Sequence, residues 1–252
     1  MQANVLPSSR GWYWLLAGFQ LWRRSPALIA FASFGYLLAL LVISIFPFIG
    51  QLAASLLMPA LSMGVMNACR ALDQQQKPGP EVLFSGFRHN LPALIGVGGL
   101  YLVASIVVLL LVSLFDDGSL ASILREGEFE TGGQSMANLQ LILIIGLALS
   151  TPVMMAYWFA PILAAWWQLP ALKAMFFSFF ACLRNWRPFL VYAIAVAVCG
   201  VLLPGLIIAL LGALSPLLAS LLALPLPLVL LPMLFASFYT CARDVFGLPD
   251  TT

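Results

Sequence analysis

His89 is the only histidine in the chain, and it stands between Arg88 and Asn90 with no second histidine or carboxylate at ligand spacing. A lone imidazole in that setting suits a polar anchor at a membrane surface better than a metal ligand or a general base. Cys69, Cys182, Cys199 and Cys241 form no Cys-x-x-Cys pair. Free thiols are therefore expected, with neither disulfide nor zinc. No HExxH, no GxSxG, no phosphate-binding lysine loop and no GxGxxG after a strand occurs. The expectation is a chain that is not an enzyme and needs no cofactor or metal.

The residues left for chemistry are cations. Arg70, Arg243, Arg23, Arg24, Arg184 and Arg187 are the candidates for an anion or lipid-headgroup site. Arg70 follows Pro59 by eleven residues, and Arg243 follows Pro232 by eleven. Eleven residues are almost three helical turns, so each proline shares a face with its arginine. An arginine at a helix end also snorkels to the interface with no ligand at all, and both readings stand. Pro59, Pro152 and Pro232 lie within apolar runs. A proline there frees a backbone carbonyl, which lines a cavity or accompanies a simple kink. Asp116, Asp117, Glu126, Glu128 and Glu130 make an acidic, Gly-containing loop. It reads as a solvated surface before it reads as a divalent-cation site.

The elements that carry these residues follow from composition. The chain has 252 residues, 63% hydrophobic and 8% charged. A soluble domain has about 45–50% apolar and about 25% charged residues. Eleven basic and nine acidic side chains cannot cover a water-facing surface of this size. A soluble domain, a disordered tail and a nucleic-acid binder are excluded. The uncharged stretches then count membrane spans, at about 20 residues each. They give Ala27–Ile49, Leu52–Cys69, Pro92–Phe115, Leu139–Ala165, Pro188–Leu214 and Pro216–Cys241. Leu, Val, Ile and Ala dominate without a period of two, which means helices and not a barrel. The fold class is an all-α polytopic bundle of six transmembrane helices, a single membrane domain over 1–252.

Ten of the eleven basic residues fall in the segments on one side of those spans, and Arg125 alone falls on the other. The positive-inside rule then places both termini in the cytoplasm. The first apolar run is too long for a signal-peptide core, so it is expected to be retained. A bacterial inner membrane is the expected home.

A threefold pattern runs through the chain. GFQLWRRSPALI (Gly18–Ile29), GFRHNLPALI (Gly86–Ile95) and FFACLRNWRPFLV (Phe179–Val191) each precede an odd span. Each has an aromatic, then basic or amide residues, then a proline that opens the helix: Pro26, Pro92, Pro188. The units are 1–76, 77–170 and 171–252. Trp12, Leu15, Leu16, Phe19 and Trp22 form a stripe, and Phe176, Phe177, Phe179, Phe180 and Trp186 stand among Lys173, Arg184 and Arg187. Three interfacial elbow helices are expected, near 11–23, 80–90 and 171–184.

On these elbow motifs and the six spans, the chain resembles a family of uncharacterised bacterial inner-membrane proteins of beta-proteobacterial type. More distantly it resembles the membrane domain attached to some glycerophosphodiester phosphodiesterases. The phosphodiesterase barrel and its catalytic residues have no counterpart here, so the resemblance implies architecture and no activity. No carboxylate lies inside a span, which removes the usual basis of ion-coupled transport. The expected function is non-enzymatic: binding or moving a lipid-like or amphipathic molecule. The alternative is an accessory or structural subunit of a larger membrane complex. Expected partners are membrane lipids and a membrane protein or a second copy of the chain; no nucleic acid is expected.

Overall fold

A computed structural model describes residues 3–115 and 133–248, apart from the side chains of 133–139. The acidic stretch 116–130 lies outside the described residues. All regular elements among the described residues are helical. Six of them are long and apolar enough to cross a membrane: Pro26–Ser44, Ile49–Asp73, Leu91–Ser113, Gln140–Trp166, Trp186–Leu214 and Pro216–Phe246. The charge spacing required this all-α, six-span bundle.

Prolines set most of the differences from the expected boundaries. Helix α1 (Arg10–Arg24) is the first elbow, and α2 (Pro26–Ser44) is the first span. The expected run to Ile49 stops at Ser44, because Pro47 disfavours helical backbone just before it. Phe48 turns the chain with φ +59°. Helix α3 (Ile49–Asp73) then runs four residues past the expected Cys69. A 3₁₀ helix (Pro80–Arg88) is the second elbow, followed by α4 (Leu91–Ser113). Span four is two helices, α5 (Gly133–Trp158) and α6 (Ala160–Trp166). They part at Phe159, where Pro161 has no N–H for the Tyr157 carbonyl. Helix α7 (Ala171–Arg184) is the third elbow. Span five is α8 (Trp186–Val196), a π-helical turn (Ala197–Leu202) and α9 (Leu203–Leu214). Pro204 removes the partner of the Gly200 carbonyl, and the ladder widens beside it. Span six is broken at Leu224–Pro225 into α10 (Pro216–Ala223) and α11 (Leu226–Phe246).

Each elbow docks on the hairpin before it in the chain, and the first docks on the last. The 3₁₀ elbow lies on α2 and α3, α7 lies on α4, α5 and α6, and α1 lies on α8 and α11. Small residues and polar latches mark each seam. A Cβ on Gly18 would sit 2.5 Å from the Ser237 backbone, and a Cβ on Gly86 would sit 1.9 Å from the Ala60 carbonyl oxygen. Only glycine lets the backbones come this close. In the third seam Ala174, Ser178 and Ala181 are fully buried. The latches are the Thr240 hydroxyl donating to the Trp14 carbonyl (3.0 Å), Asn67 Nδ2 donating to Ser85 Oγ (2.8 Å), and Ser178 Oγ donating to the Met155 carbonyl (2.8 Å).

Three residues of the stripe expected on α1, Trp12, Leu16 and Phe19, lie on its outer face, and Leu15 is buried. The chain buries Gly11, Trp14, Gly18 and Leu21 with it. Two glycines and a tryptophan with a partner for its N–H make the better docking face. Helices α9 and α10 bury no residue and pack mainly on each other.

Gly18→Leu is expected to lower the thermal midpoint in detergent, at a cost of about 1–3 kcal/mol for overpacking. Gly205→Leu, where an added Cβ meets nothing within 4 Å, is expected to leave it unchanged. Scanning fluorimetry of both variants checks this; equal midpoints would refute the close seam.

Candidate functional site at the basic end of the bundle

The C-terminal ends of α3 and α11 meet through side-chain hydrogen bonds, α11 also meets the start of α1, the end of α6 meets α3, and the residue before α8 meets the segment ahead of α1. Most of the polar side chains here are paired, as a low-dielectric setting favours, while the Trp22 indole N–H is buried without a hydrogen-bond partner.

Two carboxylates organise the cations. Arg243 Nη1 donates to Asp73 Oδ2 at 2.6 Å, and the Tyr239 hydroxyl donates to the same oxygen at 2.9 Å. Arg10 donates to both oxygens of Asp244 at 2.5 and 2.8 Å, and the Trp14 indole N–H donates to it at 2.8 Å. Those hydrogen bonds raise the Arg10 pKa above its ordinary value, against the lowering effect of burial. Adjacent residues on a helix point about 100° apart. Arg243 therefore reaches α3 while Asp244 reaches α1.

Three asparagines close the remaining gaps. Asn67 accepts the Trp166 indole N–H at 2.8 Å. Asn90, with φ +42°, donates to the carbonyls of Ala164 and Leu169. Asn185 is fully buried; it accepts the Leu6 N–H at 3.0 Å and donates to the Asn4 carbonyl at 2.9 Å. Asn185 thereby pins the segment ahead of α1 across the start of α8.

The six candidate arginines are not gathered into one cluster. Arg70 lies over the Trp166 ring at 5.1 Å, and Arg243 is paired with Asp73. Arg23 lies over Phe19, and Arg24 is exposed beside it at the end of α1. Arg187 lies over Trp186. Arg184 lines a groove of about 320 Å³ together with Phe176, Phe177, Phe180, Phe246 and Ala3. Phe176, Phe180 and Arg184 form one ridge of α7, spaced i, i+4, i+8. Phe176 and Phe180 are both exposed, with ring centroids 4.7 Å apart. Pro59 and Pro232 are buried in helix contacts, and Pro152 is exposed; none of them lines this groove. The four cysteines are free thiols, three of them buried.

No family model matches the chain. No solved structure matches it. A probable inner membrane protein of Burkholderia thailandensis is 33% identical over 262 residues, covering 99% of this chain and 96% of that protein. The chain belongs to that inner-membrane protein family. Its six apolar helices and this relationship make it a multi-pass inner-membrane protein.

Within this inner-membrane protein, sequence reasoning missed both carboxylate partners. Asp73 and Arg243 lie 170 residues apart, and Arg10 and Asp244 lie 234 apart. The available signal was that Asp73 and Asp244 each stand within three residues of an arginine at a span end. It also missed Phe246 as a wall of the groove.

A double-mutant cycle with Asp73→Asn and Arg243→Gln is expected to give a coupling of about 1 kcal/mol, because solvent partly screens the pair. Asp73→Asn alone should cost more than Arg243→Gln, since Tyr239 shares the carboxylate. Chemical denaturation in detergent measures both, and zero coupling would contradict the pairing.

Proposed function

We propose that this inner-membrane protein binds or moves a lipid-like, amphipathic molecule and performs no covalent chemistry on it. The groove on α7 carries the reading: aromatic walls that suit an alkyl chain stand beside one arginine that suits an anionic head. It is supported by exposed basic–aromatic pairs elsewhere on the elbows and span starts, Arg187 on Trp186 and Arg23 on Phe19. Such pairs suit the headgroup layer. Native mass spectrometry of protein released from mild detergent is expected to show retained lipid. Protein that is lipid-free in repeated preparations would count against the reading.

A second reading, an accessory subunit of a larger complex, is favoured by α9 and α10, which bury no residue of their own. In-membrane crosslinking and purification distinguish the two, since a stoichiometric protein partner supports the subunit reading. We also propose that both termini face the cytoplasm, on the one-sided basic residues. A C-terminal green-fluorescent fusion should be bright and an alkaline-phosphatase fusion inactive; the reverse pattern overturns the orientation.

A further inference from the structure

We propose that the α7 groove selects an anionic phospholipid of the surrounding membrane over a zwitterionic one, with Arg184 holding the headgroup phosphate. This rests on the lipid reading above and names the class of lipid. The argument begins with which cations have charge to give. Asp244 neutralises Arg10 and Asp73 neutralises Arg243. Arg70 is laid over Trp166 and does not line the groove. Among the described residues that line the groove, Arg184 is the cation and no carboxylate joins it. The site therefore has a net positive lining, and its complement is an anion.

Shape then separates an amphiphile from a free anion. Phe176 and Phe180 stand exposed on the ridge that ends in Arg184. Phe177 and Phe246 form the walls. A small hydrated anion would leave these rings in water, whereas an acyl chain covers them and gains apolar burial. Lys173 lies on the same face, eleven residues and three turns before Arg184, and is exposed. At about 320 Å³ the groove is at the small end of ligand sites. It takes the headgroup and the first part of a chain, and the rest stays in the bilayer.

The wall opposite α7 is pre-set. Asn185 holds Asn4 and Leu6, and the Asn4 N–H donates to the Val245 carbonyl at 2.9 Å. Ala3 and Phe246 are thus fixed against α7 before any ligand arrives, which reduces the ordering cost of binding.

The test is lipid retention by the full chain in neutral detergent, read by native mass spectrometry with equal phosphatidylglycerol and phosphatidylcholine. Wild type is expected to prefer phosphatidylglycerol about fivefold, the effect of one cation near an anionic headgroup. Arg184→Gln should lose that preference, Arg184→Lys should keep it, and Arg187→Gln should change it less. Phe180→Ala should weaken retention of both lipids. Inorganic phosphate at equal concentration should not displace the lipid. An undiminished preference in Arg184→Gln, with lipid still bound, overturns the assignment and leaves the lipid reading standing. Equal retention of the two lipids by wild type, or displacement by inorganic phosphate, also overturns it. No lipid on wild type overturns the lipid reading itself. Arg184 is exposed at a helix end, and an unchanged thermal midpoint in Arg184→Gln confirms that the variant is folded.

Discussion

The Arg243–Asp244 dipeptide holds the bundle shut. One residue ties α11 to Asp73 of α3, and the next ties it to Arg10 and Trp14 of α1. In a membrane, apolar faces do not choose their partners, because lipid tails are as good a neighbour as leucine. Polar clasps and close-packed small residues make the choice. Here they sit mainly at the basic end, where the chain's first and last helices meet. The groove on α7 depends on the same clasp, since Phe246 lies two residues beyond Asp244.

The packing grades away from that end. Trp14, Ile29, Leu61, Met63, Leu94, Phe159 and Tyr239 are all buried to within about 2% of their surface. The opposite end holds α9, the π-helical turn and α10, where no residue is buried. Each elbow meets its seam through small-residue contacts and polar latches.

How much of this was legible in the sequence differs by feature. The spans were legible because about 20 uncharged residues can do little else. The elbows were legible too, as aromatic–basic segments ending at Pro26, Pro92 and Pro188, and α1 and α7 lie within a residue of the expected 11–23 and 171–184. Helix ends were less so: Pro47, Pro161 and Pro225 each divide a run that hydropathy alone joins. The docking face of α1 was not legible from the stripe alone, because a hydrophobic stripe does not tell a lipid-facing side from a helix-facing one; Gly11 and Gly18 mark it. Arg70 and Arg243 looked alike in sequence and differ in the fold. Arg243 meets a carboxylate 170 residues away, while Arg70 meets an indole ring. Arg184 was among the candidate cations, but its groove needed Phe246, which tertiary contact alone brings near.

Hydrogen–deuterium exchange of the Asp244→Asn variant in detergent tests the clasp most directly. If Asp244 docks α1, the amides of Arg10–Arg24 and of the last turns of α11 should exchange faster than in wild type by on the order of tenfold, which corresponds to about 1.4 kcal/mol of lost local stability. The amides of α4, which the clasp does not touch, should keep their wild-type rates. Unchanged protection across α1 would contradict the account, because α1 would then be held by something other than the last helix.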